Sequence, residues 1–308
     1  MGEPLEQKQS FPVIAIFGPT ASGKSAVAEA IAERVSGELV SADAMQVYRG
    51  LPILTNQSQA RLVAIWPLDH EASLGEYARL AHAEIDEILS RKKTPIVVGG
   101  TGLYFRAALC ELGLPPAPKP EARERWQIAY DELGPEGAHA LLADRDPETA
   151  SVVHANDRRR VVRALELSDL GHTLRPTVDR LWSEDFRHAS IVFGLELRPA
   201  ELEKRIKART RSMFERDVAG EVAQALARPV STTASKVIGL REIAGLEREQ
   251  AIAVVIKRTR RYAAYQRKWM RRLPGLVSVR ADRPIGEIAD EIVEVARTRK
   301  RLPSARAD

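Results

Sequence analysis

The chain of 308 residues has a single cysteine, Cys110, which excludes an intrachain disulfide and any cysteine-built zinc site. Its six histidines show no H-E-x-x-H pair or comparable ligand spacing, and no G-x-S-x-G elbow is present. Aromatic residues are scarce, and no apolar run approaches the roughly 18 residues of a membrane span. The polar start MGEPLEQKQS lacks the apolar centre of a signal peptide. A cytoplasmic protein without membrane contact is therefore expected, with a monomer as the default. The net charge of +5 is modest for this length, so where the charge sits matters more than its sum.

Against those absences stands one dense signal. Val13 to Phe17 is an uninterrupted apolar, β-prone run, the signature of a buried parallel strand. It is followed by Gly18, Pro19, Thr20, Ala21, Ser22, Gly23, Lys24 and Ser25, and then by a helix-prone run to Val35. This is the spacing G-x-x-x-x-G-K-[ST] in the strand–loop–helix context that gives it meaning. Backbone N–H groups of such a loop converge on phosphate oxygens, the lysine adds a point charge, and the Ser25 hydroxyl can ligate Mg²⁺. The motif predicts that phosphates bind here without saying what carries them.

Further strands are expected at Glu38–Ser41 and Pro95–Val98, with an amphipathic helix between them from Gly75 to Arg91. The first hundred residues thus read βαβαβ, an α/β fold with a parallel sheet flanked by helices. The stretch Leu51 to Gln59 reads as a loop. A proline-rich boundary, Leu114 to Pro120, opens a segment of short helices without a convincing strand. Ile191 to Leu197 restores the strand pattern, and a long helix opens at Pro199. The simplest organisation is an α/β core, 1–114 and 189–308, interrupted by a helical insertion, 115–188. A long helix over Glu249–Arg272, an edge strand at Val277–Val279, a helix from Ile285 to Arg297 and a basic tail complete the chain.

Several residues could carry chemistry. Asp43 leaves the end of the second strand beside the phosphate loop, where it could hold Mg²⁺ through water, take a proton, or merely close an Asx turn. Thr101, within Gly99-Gly100-Thr101-Gly102, could bond a leaving oxygen or cap the next helix. The run Arg158-Arg159-Arg160-Val161-Val162-Arg163 suits phosphate binding or forms a solvated face. Lys257 to Arg272 holds eight Lys/Arg among sixteen residues, a nucleic-acid footprint, while Tyr262, Tyr265 and Trp269 make a stripe that reads as a packing face. Phosphoryl-transferring P-loop enzymes usually carry a strand ending in the Asp that holds Mg²⁺. Here the third strand ends in Gly-Gly-Thr, which weakens a kinase or NTPase reading.

Taken in order, GPTASGKS, SADAMQVYRG, VVGGTGLYF, HANDRRRVVRALE, KVIGLRE and TRRYAAYQRKWMRR resemble the tRNA dimethylallyltransferase family, also called tRNA isopentenyltransferases, from about Phe11 to Leu273. The resemblance implies transfer of a dimethylallyl group from dimethylallyl diphosphate to N6 of the adenosine next to the anticodon, in tRNAs that read codons beginning with U. It implies that Gly18 to Ser25 grip the diphosphate with Mg²⁺ against Ser25, and that Lys24 and Arg209 neutralise the charge that develops on it. Asp43 matches the family's general base and Thr101 the hydroxyl beside the leaving oxygen. Asp43, Ala44, Met45, Gln46, Thr101, Arg123, Arg159, Arg160, Val161, Val162, Arg163, Lys236, Val237, Ile238, Gly239, Leu240 and Arg241 match its tRNA-contacting segments. The helical insertion is then expected to clamp the anticodon stem-loop. A relative that prenylates free adenine nucleotides, and an RNA-binding P-loop NTPase or kinase, are the competing readings. The chain departs from the family at Leu51 to Ser58, where Met-Asp-Ile-Gly-Thr-Ala-Lys-Pro is usual. It departs again at Ala60-Arg61-Leu62 in place of His-His-Leu, and at Arg158 in place of proline.

Overall fold

The computed structural model describes residues 12–117, 120–174 and 180–301. Phe11, Pro118, Lys119 and the end of the basic tail lie outside them. The chain divides into one unit made of the residues up to Cys110 and from Glu184 on, and a second from Glu111 to Ser183. Both boundaries fall a few residues earlier than the sequence reading placed them. The reason is local: the Arg187 N–H bonds the Leu109 carbonyl at 2.9 Å, Arg187 and His188 pair with Asp86, and the Arg106 guanidinium stacks on Phe186. Those contacts tie the chain to the first unit before the next strand begins.

The first unit is built on β1 (Val13–Phe17), α1 (Lys24–Val35), β2 (Gly37–Ala42), a short α2 (Pro52–Thr55), α3 (Leu74–Ser90), β3 (Thr94–Gly99) and α4 (Gly102–Leu109). Every strand pairing in the sheet is parallel, in the order β2-β3-β1-β4-β5, with Phe17 opposite Gly99 and Ala42 also opposite Gly99. Because the strands are parallel, the turns that follow β1, β2 and β3 leave the same end of the sheet. Alternate residues of each strand face opposite ways. Ile14 and Ile16 pack with Val27 and Ile31 of α1 in the main core, while Phe17 meets Phe105 of α4 edge to face at 5.1 Å.

The second unit comprises α5 (Pro120–Arg145), α6 (Pro147–Ala150) and α7 (Arg158–Ser168). The chain breaks helical geometry at Gly134 and restarts at Pro135, so α5 is two helices in series. Trp126, Tyr130, Leu142, Val161 and Leu165 form its own core.

The first unit then resumes with β4 (Ser190–Glu196), α8 (Pro199–Glu215), α9 (Val218–Leu226), α10 (Leu240–Gly245), α11 (Arg248–Met270), β5 (Val277–Arg280) and α12 (Ile285–Arg301). In α11 the polar side chain of Gln266 is buried. That helix approaches the turn after β3 so closely that a Cβ on Gly100 would collide with the Gln266 amide, and one on Gly102 with the Trp269 indole.

The outer edge of β2 is occupied by the segment around Arg61. Ser41 N–H bonds the Arg61 carbonyl and Arg61 N–H bonds the Leu39 carbonyl, each at 2.9 Å. The Arg61 guanidinium pairs with Glu38, Glu84 and Glu87, which accounts physically for arginine at a position where the family usually has histidine. Burial alone would raise the Glu38 carboxyl, but bonds from Lys93 and Arg91 and the charge of Arg61 bring it down to about 2. The resulting stabilisation is complete above the unfolded value near 4.5 and is lost as the pH falls through about 2. Glu38→Gln should therefore cost about 1–2 kcal/mol at neutral pH after solvent screening. Denaturant unfolding at a series of pH values should show the gap from wild type shrinking below pH 4.5. A gap that stays constant down to pH 2 would show that the carboxylate is not the source.

Candidate active site

The phosphate loop begins where β1 ends. Gly18 and Pro19 are buried, and Ser22 N–H bonds the Pro19 carbonyl at 3.1 Å. Gly23 sits at φ 90° as the N-cap of α1, and the first intrahelical bond runs from Val27 N–H to the Gly23 carbonyl. The N–H groups at the start of α1 are left without intrahelical partners and carry the positive end of the helix dipole. Lys24 and Ser25 line the adjoining cavity. The buried Ser22 hydroxyl has no protein hydrogen-bond partner.

The helix α8, which shares the main core with α1, sends two arginines to this loop. Arg209 donates to Thr20 Oγ1 at 2.8 Å, and Arg205, held by Glu201, reaches the Ser22 carbonyl. Burial lowers the pKa of Lys24; Asp43 opposes that shift and Arg209 adds to it. Arg209 is likewise lowered by burial, with Asp43 opposing and Arg216 contributing. Two half-buried cations thus share one carboxylate, an excess of positive charge that a bound polyanion would offset.

Asp43 does close an Asx turn, its Oδ1 accepting from Met45 N–H at 3.0 Å. That bond engages one carboxylate oxygen and leaves Oδ2 for other work. Thr101 makes no side-chain cap on α4. Its Oγ1 instead accepts from Ala44 N–H at 3.1 Å and lies 3.1 Å from the Tyr262 hydroxyl. The ends of β2 and β3 are thereby joined at the residue after Asp43. Gln266 joins a third turn to them: its Oε1 accepts from Thr20 N–H at 2.8 Å and its Nε2 donates to the Gly100 carbonyl at 2.9 Å.

These groups surround a cavity of about 380 Å³. Its lining includes the polar and charged side chains of Thr20, Lys24, Ser25, Asp43, Arg205 and Arg209. It also includes the apolar side chains of Leu54, Ile206, Met213, Val237, Ile238 and Val255. The stretch read as a loop contributes α2 to this lining. Glu221 of α9 accepts from Ile53 N–H and Leu54 N–H at 2.7 and 2.8 Å, and buried Gln46 donates to the Thr55 and Asn56 carbonyls. The departure from the family sequence at 51–58 is therefore a built element of this chain.

The remaining sequence-predicted residues divide by exposure. Ala44 and Met45 are half-buried, and Gln46 acts as the latch just described. Of residues 236–241, Lys236 and Arg241 are exposed, Val237 and Ile238 face the cavity, and Gly239 and Leu240 are packed inside. In the helical unit Val161 and Val162 belong to the core, so their side chains are packing groups. Arg163 and Arg123 both pair with the buried carboxylate of Glu166 at 2.9 Å. Arg159 and Arg160 stay exposed, and Arg158 forms a two-bond fork with Asp131.

Sequence reasoning did not single out Gln266, Glu221 or the apolar lining, and it placed Tyr262 in a packing stripe. In the structure Trp269 packs on Gly102, Tyr262 lines the cavity and Tyr265 is exposed. The available signal was Gln266 itself, a polar residue one helical turn beyond Tyr262 and on the same face.

Known proteins resemble this chain in sequence and in fold. The sequence model of the family described as IPP transferase matches residues 46–273, and that of isopentenyl transferase matches residues 11–60. The tRNA dimethylallyltransferase of Salinispora tropica is 38% identical, covering 85% of this chain and 86% of its own length. That of Corynebacterium jeikeium is 39% identical over 88% and 92%. The crystal structure of the tRNA isopentenylpyrophosphate transferase of Bacillus halodurans superposes with a TM-score of 0.67 at 28% identity, covering 96% of this chain and 99% of that one. The fold, the phosphate loop and this extent of similarity together establish that the chain belongs to the IPP transferase family.

Proposed function

We propose that this protein transfers a dimethylallyl group from dimethylallyl diphosphate to N6 of an adenosine beside the anticodon of tRNA, releasing diphosphate. The observation that carries this reading is a cavity lined both by cations beside the phosphate loop and by the aliphatic side chains of Leu54, Ile206, Met213, Val237, Ile238 and Val255. A short isoprenoid diphosphate has a polyanion for the first and a hydrocarbon for the second. The curated relatives' names point to the same substrate class.

In the reaction the C1–O bond of the donor breaks and its electron pair leaves with the diphosphate oxygen. Lys24, Arg209 and the N–H groups at the start of α1 stabilise that developing charge. The N6–C1 bond forms, and Asp43 takes the N6 proton through the oxygen that its Asx turn leaves free. An exocyclic amine conjugated into a purine is a weak nucleophile, so a positioned carboxylate matters. The adenosine must also leave its stack to reach the cavity.

Among the described residues no three His, Cys, Asp or Glu side chains gather as a metal site. The Ser25 hydroxyl at the start of α1 is the group that would hold a Mg²⁺ carried in with the diphosphate, and such an ion would add neutralising charge at the leaving group.

Incubation with radiolabelled dimethylallyl diphosphate and either unmodified tRNA or AMP tests the assignment. Label should enter tRNA; entry into AMP alone would refute it, and ATP hydrolysis without isoprenoid would favour an NTPase. Asp43→Ala should lower kcat at least a hundredfold, within the range for a general base, and leave the Kd for tRNA within about twofold. A parallel loss of tRNA affinity would assign Asp43 to binding instead. Arg159→Ala should weaken tRNA binding and lower the salt slope by about one, with thermal unfolding unchanged. An unaltered slope would make Arg159 part of a solvated face.

A further inference from the structure

The cavity contains one hydroxyl whose donor and acceptor roles can be worked out from its neighbours. A threonine hydroxyl has one proton to give and two lone pairs to fill. At Thr101 one lone pair is filled by Ala44 N–H, a group with no choice of role. The second neighbour, the Tyr262 hydroxyl at 3.1 Å, could act in either direction when the pair is viewed alone.

Gln266 lies beside this pair. Its amide is oriented by two backbone groups of opposite kind: Thr20 N–H requires the oxygen, and the Gly100 carbonyl requires the nitrogen. Nε2 therefore keeps one proton beyond the bond to Gly100. The Tyr262 phenol stands one turn earlier on the same face of α11, and Gln266 is among the groups that act on it. Burial and the nearby Asp43 charge both push the phenol pKa up, which keeps the proton on its oxygen. That proton is available to Thr101 across the 3.1 Å contact.

We propose that Tyr262 is a positioning residue of the transfer reaction: by filling the second lone pair of Thr101, it aims the Thr101 proton into the cavity, at the donor oxygen that departs. This rests on the isoprenoid diphosphate reading above. No proton changes owner along this chain. As the C1–O bond breaks and its electron pair moves onto the bridging oxygen, the Thr101 hydrogen bond to that oxygen strengthens, while Tyr262 and Gln266 keep their protons throughout. Because Gln266 and Tyr262 share α11, the helix that holds the phosphate loop at Thr20 also positions the Thr101 hydroxyl.

The test is a double-mutant cycle on the transfer reaction with full-length protein, dimethylallyl diphosphate and unmodified tRNA. Tyr262→Phe keeps the ring and removes only the hydroxyl. It should lower kcat about tenfold, the weight of one well-placed hydrogen bond, while KM for donor and tRNA stays within twofold. In a Thr101→Val background the same change should cost less than twofold, because there is no longer a hydroxyl to aim. An equal loss in both backgrounds, or a loss that appears as raised KM for tRNA, would overturn the proposal. Replacing Tyr262 by 3-fluorotyrosine gives a second reading without altering the packing: a more acidic phenol is a stronger donor and should speed transfer, and slower or unchanged transfer counts against the relay. If the wild-type protein labels no tRNA, the functional reading fails first and takes the relay with it. If the wild type labels tRNA but the cycle is additive, the relay alone fails.

Discussion

The contact on which the active end of this protein depends is that of α11 with the turn after β3. It exists because residues 100 and 102 have no side chains, which lets the Gln266 amide and the Trp269 indole occupy the space that two β-carbons would fill. A buried amide is costly unless satisfied, and Gln266 is satisfied by the two backbone groups that most need fixing, one in the phosphate loop and one at the end of β3. Packing and polarity therefore reinforce each other. The indole sets the distance and the amide sets the register.

From that contact the rest of the site follows. Once α11 is seated, Tyr262 falls beside Thr101, and Thr101 holds the residue next to Asp43. Residues from three strand ends and one distant helix meet within a few ångströms, although nearly the full length of the first unit separates them in sequence. The arginines of α8 arrive from a further element and add to the charged lining of the cavity. The helical unit shows a different economy of charge. There the buried Glu166 neutralises Arg123 and Arg163, so the cations available to an external anion are those that lack such a partner.

Much of this was legible in the sequence. The spacing of the phosphate loop carries its chemistry, and the strands and long helices follow from periodicity, whereas Asp43 and Thr101 could on position alone be a turn residue and a helix cap. Asp157 caps α7 as its place before the arginine run suggests. What could not be read were roles that depend on a partner far along the chain. Thr101 at the start of a helix looks like a cap until α11 supplies Tyr262. A glutamine in a basic helix looks like surface until two glycines bring a backbone to it. Leu51 to Gln59 looks like a loop because the α2 within it is a single short turn, held by Glu221, which comes 168 residues after Ile53 and 167 after Leu54. Likewise, an arginine run does not reveal which of its members a buried glutamate will claim.

The segment around Arg61 has a consequence for assembly. Strands at the margins of a sheet carry open N–H and C=O groups that invite another chain to pair. On the β2 side the outward groups of Leu39 and Ser41 are taken by the protein's own Arg61 backbone, which its carboxylate cluster ties down. A second chain seeking to pair with the middle of β2 would have to displace covalently connected backbone together with three ion pairs.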